Sequence, residues 1–172
     1  MSMIKYPKEE FVSESIINFS QLNRKLTYLK QQGKTVGLCV GVFDLFHPSH
    51  ALCLASAKKM CDILVVAISS NAITKKRKGK ERPIFDQHLR AYILSMIKGV
   101  DYVVVTPYDR VTTISRIKPD FYVAMEDLRV STLPRRVGER KKIEEITKIE
   151  YIPNKVLSTT QLIYNIRKIG KR

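Results

Sequence analysis

The stretch Ile63-Leu64-Val65-Val66-Ala67-Ile68 is apolar at every position. Strict alternation would mark a strand with one wet face. A short unbroken run instead marks a strand covered on both faces, as in a parallel sheet. Parallel strands need crossover connections, usually helical, and the flanking sequence supplies them. Glu14 to Gln32 has helical spacing, with Ile17, Leu22, Leu26 and Leu29 on the buried face and Gly33 as the stop. Thr35 to Val42 reads as the first strand. Ser49 to Met60 reads as a helix offering Leu52, Leu54 and Ala55 for packing, and Asp62 to Ile68 as the second strand. A basic segment containing Gly79 and Pro83 runs from Ser69 to Phe85. Asp86 caps a helix reaching about Lys98. Asp101 to Val105, Asp120 to Ala124 and Lys148 to Ile152 complete the strands. Helices over Asp109 to Ile117, Glu139 to Thr147 and Ser158 to Ile169 complete the crossovers, and Leu128 to Gly138 reads as a loop. The expected fold is α/β: a Rossmann-like parallel five-stranded sheet with helices on both faces and right-handed crossovers. One domain is expected over residues 1–172, with residues 1–33 as an N-terminal helical extension.

No apolar run approaches the ~18 residues that span a bilayer, and Met1 to Glu10 is polar. A cytoplasmic protein with no membrane partner is the expectation. Cys39, Cys53 and Cys61 show no paired spacing and read as small hydrophobes rather than zinc ligands. The net charge of +15 fits a polyanionic ligand, nucleic acid, or a lysine-rich surface. The basic runs Lys75 to Lys78, Arg135-Arg136 and Arg140 to Lys142 lack interleaved aromatics, so nucleic acid ranks last among these.

Open parallel sheets bind ligands beyond the carboxyl ends of their strands, at the switch point of the topology. Gly41-Val42-Phe43-Asp44-Leu45-Phe46-His47-Pro48-Ser49-His50 occupies such a place, between the first strand and the helix after it. A helix N-terminus there offers free N–H groups and a positive dipole end to phosphate. Imidazoles in its first turn add donors that follow charge toward a leaving group. Nucleotidyl transfer needs little more: a phosphate oxygen attacks an α-phosphate in line and pyrophosphate departs. The basic segment follows the second strand and can face the same crevice. His88 stands alone and reads as structural, and Asp120 and Asp127 read as structural or solvated.

These residues resemble the cytidylyltransferase-like nucleotidyltransferases, whose signature is G-x-F-D-x-x-H-x-G-H. The resemblance continues in order through Lys78-Gly79-Lys80-Glu81-Arg82-Pro83-Ile84, Arg90, Val100 to Val104, Lys118-Pro119-Asp120 and Ser158-Thr159-Thr160. It is nearest to the nucleotidyltransferase domain of ADP-heptose synthases, with glycerol-3-phosphate and choline- or ethanolamine-phosphate cytidylyltransferases as relatives. The resemblance implies His47, His50 and Lys78 as catalytic residues. It implies Gly41, Val42, Phe43, Ser49, Ser158, Thr159 and Thr160 as nucleotide-binding, with Asp44, Arg82 and Arg90 in support. It implies ATP or CTP as donor, a small phosphorylated sugar, polyol or amino-alcohol as acceptor, and Mg²⁺ carried by the nucleotide rather than by a protein metal site. A homodimer is open to such a chain through its N-terminal helix.

The sequence departs from that family at three places. Ser49 stands where the signature has glycine. Ala124-Met125-Glu126-Asp127 replaces the Lys-Gly-Gly-Asp of ADP-heptose synthases, removing a cation near the acceptor. Pro153-Asn154-Lys155-Val156 replaces the Arg-Thr-Glu-Gly that cytidylyltransferases place before their second motif. Two readings therefore stand beside each other: a working transferase, and a catalytically altered nucleotide-binding homologue with a regulatory role.

Overall fold

The computed structural model describes residues 6–153 and 158–169. Asn154, Lys155 and Val156, part of the third departure from the family pattern, lie outside them. Five strands, β1 (Val36–Gly41), β2 (Ile63–Ser69), β3 (Tyr102–Thr106), β4 (Phe121–Met125) and β5 (Lys148–Ile152), form one parallel sheet in the order β3-β2-β1-β4-β5. The α/β expectation holds. The helices are α1 (Phe19–Gln31), α2 (Pro48–Lys58), α3 (Asn71–Lys78), α4 (Gln87–Ser95), α5 (Arg110–Ile117), α6 (Glu126–Arg129), α7 (Pro134–Glu144) and α8 (Thr159–Ile169). Among the described residues no helix is long and apolar enough to cross a membrane.

The apolar run of β2 serves both faces. Val65 and Ala67 pack with Leu22 and Leu26 of α1, Ile114 and Ile117 of α5, and Ile143 of α7. Leu64, Val66 and Ile68 pack on the other side with Cys53, Leu54 and Ala57 of α2 and Ala91 and Leu94 of α4. The two-residue period of a strand divides one continuous apolar segment between two cores.

Four local expectations need correction. Residues 14–17 do not join the first helix: Ile16 forms an isolated parallel bridge with Val103, and Ile17 N–H donates to the Val103 carbonyl at 3.0 Å. The helix starts later because Asn18 and Gln21 cap each other reciprocally. The basic segment is not all loop. Ser70 Oγ accepts from Ile73 N–H at 3.3 Å and starts α3, which ends at Gly79 with φ +98°. Lys and Arg are good helix formers, so a run read for its charge also carries helical propensity. In α2 the buried face is Cys53, Leu54 and Ala57, while Leu52 is exposed. Finally, the expected loop from Leu128 to Gly138 holds the end of α6 and the start of α7, with Pro134 at the first turn of α7.

Arg90 of α4 is fully buried and joins four segments. It donates to the carbonyls of Val42 (2.7 Å), Ser69 (2.9 Å) and Phe85 (2.9 Å) and to Asn71 Oδ1 (3.0 Å). Burial lowers its pKa to about 10, against the opposing pull of Asp44 and Asp86, so it stays charged at neutral pH. Arg90→Met would leave three carbonyls without this donor. It is expected to cost more than about 3 kcal/mol, the scale of breaking a buried charged network, read as a fall in the urea midpoint at unchanged slope.

Candidate active site

β1 and β4 pair side by side only from Gly37↔Phe121 to Cys39↔Val123. Beyond that point β1 continues against β2 as far as Gly41↔Ile68, and β4 against β5 as far as Met125↔Ile152. The two strands therefore part at their carboxyl ends, where the crossover direction reverses. A cleft of about 400 Å³ opens there. Its lining brings together Gly41, Val42, Phe43, His47, Ser49 and His50 from the β1–α2 connection with Lys78 from α3 and Ser158, Thr159 and Thr160 from the start of α8. Residues far apart in the chain thus share one wall. Asp44, Arg82 and Arg90 are held behind that wall.

The turn after β1 explains the signature spacing. The Phe43 ring folds back over Gly41, and a Cβ at Gly41 would lie 2.8 Å from it. Phe43 and Leu45 both take positive φ, 51° and 50°. That conformation is unfavourable for side chains of this size and persists only when the surroundings over-determine it. Asp44 provides the constraint from between them. It is 1% exposed and accepts from Arg82 Nε (2.7 Å), Ile84 N–H (2.9 Å) and Phe85 N–H (3.1 Å). Its carbonyl accepts from the Thr159 hydroxyl at 2.9 Å, tying α8 to the same turn. Asp44 is thus committed to structure, and so is the hydroxyl of Thr159.

His47 is the N-cap of α2, with no side-chain capping hydrogen bond, and Pro48 is the first residue of the helix. The rings of His47 and His50 stack, with centroids 3.7 Å apart and planes at 22°. Phe43 and Phe46 flank His50 at 5.0 and 5.7 Å. Among the described residues, Nδ1 of each imidazole is buried without a hydrogen-bond partner. Buried polar groups are normally satisfied, and exceptions concentrate where a ligand or water completes the set. Ser49, in the first turn of α2, is 3% exposed and lines the cleft. Across the cleft, Ser158 Oγ accepts from Gln161 N–H at 3.2 Å and caps α8. Two helix N-termini, α2 and α8, therefore contribute to one cavity.

The charge balance is cationic. Burial and then Lys78 lower the pKa of His47. Burial, His47 and Lys78 push His50 down to about 3, with Asp44 opposing. Burial and then Arg82 lower Lys78. Groups that resist protonation through burial, and further through one another, form a site that an anionic ligand would complement. Among the described residues no three His, Cys, Asp or Glu converge as a metal site would require. His88, read as structural, is exposed in the first turn of α4 and stands outside the cleft. Asp120 fixes the start of β1, accepting from Val36 N–H at 2.7 Å.

Among the cleft residues that escape the sequence reading in this role are Arg110, Tyr122, Asp127 and Arg136. In sequence Arg136 reads only as part of a charged run, and Asp127 as a structural or solvated carboxylate. Arg110 gives no signal, since a single arginine after a helix cap is common.

A cation-rich cleft at the switch point of a parallel sheet, with two helix N-termini on its walls, defines a phosphate-ester-binding α/β protein. The profile of the family described as cytidylyltransferase-like matches residues 38–165. Bifunctional protein HldE of a Nitratiruptor species is 33% identical over 170 residues, covering 96% of this chain and 34% of that protein. Bifunctional protein HldE of Campylobacter concisus is 37% identical over 141 residues, covering 81% and 29%. The chain spans about a third of the length of these curated relatives. In fold it is similar to the lipopolysaccharide core biosynthesis protein from Thermoplasma volcanium GSS1, with TM-score 0.57 and 24% identity over 73% of this chain and 100% of that one. It is similar also to a pantoate-beta-alanine ligase from Francisella tularensis, with TM-score 0.61 and 15% identity over 93% of this chain and 80% of that one. The chain belongs to the cytidylyltransferase-like family of nucleotidyltransferases.

The depressed pKa of His50 has a consequence for stability. Its folded value of about 3 lies below the roughly 6.5 of an unfolded histidine. Between these values the unfolded chain takes the proton and the folded chain does not, so stability falls as pH drops through that window. Urea midpoints from pH 7 to pH 5 are expected to fall faster for the native chain than for His50→Gln. Equal slopes would show that His50 is not held neutral.

Proposed function

We propose that this chain is a working nucleotidyltransferase. It moves a nucleoside monophosphate from ATP or CTP onto the phosphate of a small phosphorylated acceptor of sugar type and releases pyrophosphate. Residues 1–172 act as one nucleotidyltransferase domain, with residues 1–33 as an N-terminal extension that carries α1. The observation that carries this reading is the stacked His47–His50 pair at the N-terminus of α2, in one cleft with Lys78 and the capped start of α8. The ordered resemblance to the nucleotidyltransferase domain of ADP-heptose synthases supports the same class of acceptor.

In this reading the acceptor phosphate oxygen attacks the α-phosphorus in line. The new P–O bond forms as the bond to the bridging oxygen breaks, and the electron pair leaves with pyrophosphate. The nucleophile is already an anion, so no general base is needed, in keeping with the commitment of Asp44 to Arg82 and two backbone N–H groups. His47, His50 and Lys78 meet the charge that develops on the leaving phosphates. Ser158 and Thr160, with the N–H groups of the first turn of α8, hold the outer phosphates. Gly41 to Phe43 and Ser49 lie along the nucleotide. Mg²⁺ enters with the triphosphate as part of the substrate. Bound phosphate raises the pKa values of the two imidazoles and draws protons into the site.

Pyrophosphate release, followed across ATP, CTP and a panel of phosphorylated sugars, polyols and amino-alcohols, tests the assignment. His47→Ala and His50→Ala are each expected to lower kcat by well over ~10²-fold, the scale of losing one transition-state donor. Turnover that survives both changes would remove the catalytic assignment.

Ser49 supports a second reading, a nucleotide-binding homologue with altered catalysis and a regulatory role. Its side chain occupies a cleft position that the family signature gives to glycine. Calorimetric nucleotide binding without pyrophosphate from any acceptor, together with activity gained by Ser49→Gly, would decide for it.

A further inference from the structure

The cleft has a second wall that the histidines and Lys78 do not account for. It is built from Tyr122 to Leu128 at the end of β4, with Arg110 from α5 and Arg136 from α7. The Ala124 to Asp127 segment carries no cation of its own. Cations reach this wall instead from two other elements. Arg110 Nη1 donates to Glu139 Oε2 at 2.9 Å. Arg136 Nη1 donates to Asp127 at the mouth of the cleft, 2.7 Å to Oδ2 and 3.2 Å to the carbonyl.

Three features mark Arg110 as more than a surface ion pair. Its side chain is only 19% exposed, and its Nε is buried with no acceptor among the described residues. A buried donor without an acceptor is a standing cost that an anion in the cleft would relieve. Its position at the first residue of α5 puts a cation at the positive end of a helix dipole, against the usual preference. Its partner does not depend on it, because Glu139 also pairs with Arg135 at 3.3 Å. Arg110 can therefore leave Glu139 without stranding a charge.

A guanidinium fork matches the oxygens of a phosphate, and carboxylates accept from hydroxyls. We propose that Arg110, with Arg136 at the mouth, forms the acceptor-binding half of the cleft. The two guanidiniums take the acceptor phosphate and aim it at the nucleotide's α-phosphate, while Asp127 accepts its hydroxyls. The inference rests on the transferase reading and deepens it by assigning the acceptor's residues. It also sets specificity. The arginines select for the phosphate, and the carboxylate of Asp127 favours a head that donates hydrogen bonds.

Steady-state kinetics of Arg110→Ala, Arg110→Lys and Arg136→Ala test it, with thermal melting and nucleotide binding as controls for folding. The acceptor KM is expected to rise about 10- to 100-fold in Arg110→Ala, the worth of one charged hydrogen bond. The nucleotide KM should stay within about twofold, and lysine should restore part of the loss. Arg136→Ala, a partly exposed change at the rim, should raise the acceptor KM by less. Acceptor and nucleotide KM moving together, or no movement in either, would overturn the assignment. If the native chain releases no pyrophosphate with any acceptor, the transferase reading fails by itself. Calorimetry of sugar phosphates binding to the protein saturated with a non-hydrolysable nucleotide then decides the inference separately. Binding lost in Arg110→Ala upholds it, and binding unchanged removes it.

Discussion

The guanidinium of Arg90 is the contact on which the rest of the site depends. It reaches the loop after β1 through Val42, the end of β2 through Ser69, the start of α3 through Asn71 and the approach to α4 through Phe85. Its carbonyl partners lie at or beyond the ends of strands and in the approach to a helix, where the sheet ladder does not reach. One planar cation satisfies several of them at once, which neutral side chains of similar volume cannot do. The cost is a buried charge, offset by nearby Asp44 and Asp86. Asp44 then organises the next layer, holding Arg82 and the Ile84–Phe85 backbone and so fixing the strained turn that presents the histidines.

The cleft itself follows from strand order. A sheet in which β1 and β4 are neighbours, with crossovers running in opposite directions from them, leaves their carboxyl ends uncovered. Into that opening the chain places imidazoles, a lysine and two helix N-termini. The carboxylate on the arginine side of the cleft, Asp127, is paired with Arg136, and Glu139 behind Arg110 is paired with that arginine. The result is an electrostatic asymmetry of the kind phosphoryl chemistry uses, in which preorganised donors meet charge as it moves.

The alternation of strand and helix was readable because strand period and helix period leave different marks in residues such as Ile63 to Ile68 and Leu22 and Leu26. The boundaries were less so. Asn18 and Gln21 moved the start of α1, and Ser70 started a helix inside a charged run. In both cases local capping hydrogen bonds outweighed the periodic signal around them. The burial of Cys53 rather than Leu52 was decided by the rotation of α2 against the sheet, which no linear pattern specifies.

By itself the chain of residues determined the fold class and the strand-to-helix turn from Gly41 to His50, features carried by spacing and residue type within a few turns of chain; Lys78 and Ser158 to Thr160 were joined to that turn only by the ordered resemblance to a known family. Tertiary structure alone decided that Arg90 and Asp44 are buried hubs, that Thr159 spends its hydroxyl on Asp44, and that Arg110 and Arg136 line the cleft. These depend on contacts between segments distant in the chain. A long polar side chain carries no mark of its partner until the sheet brings the two together.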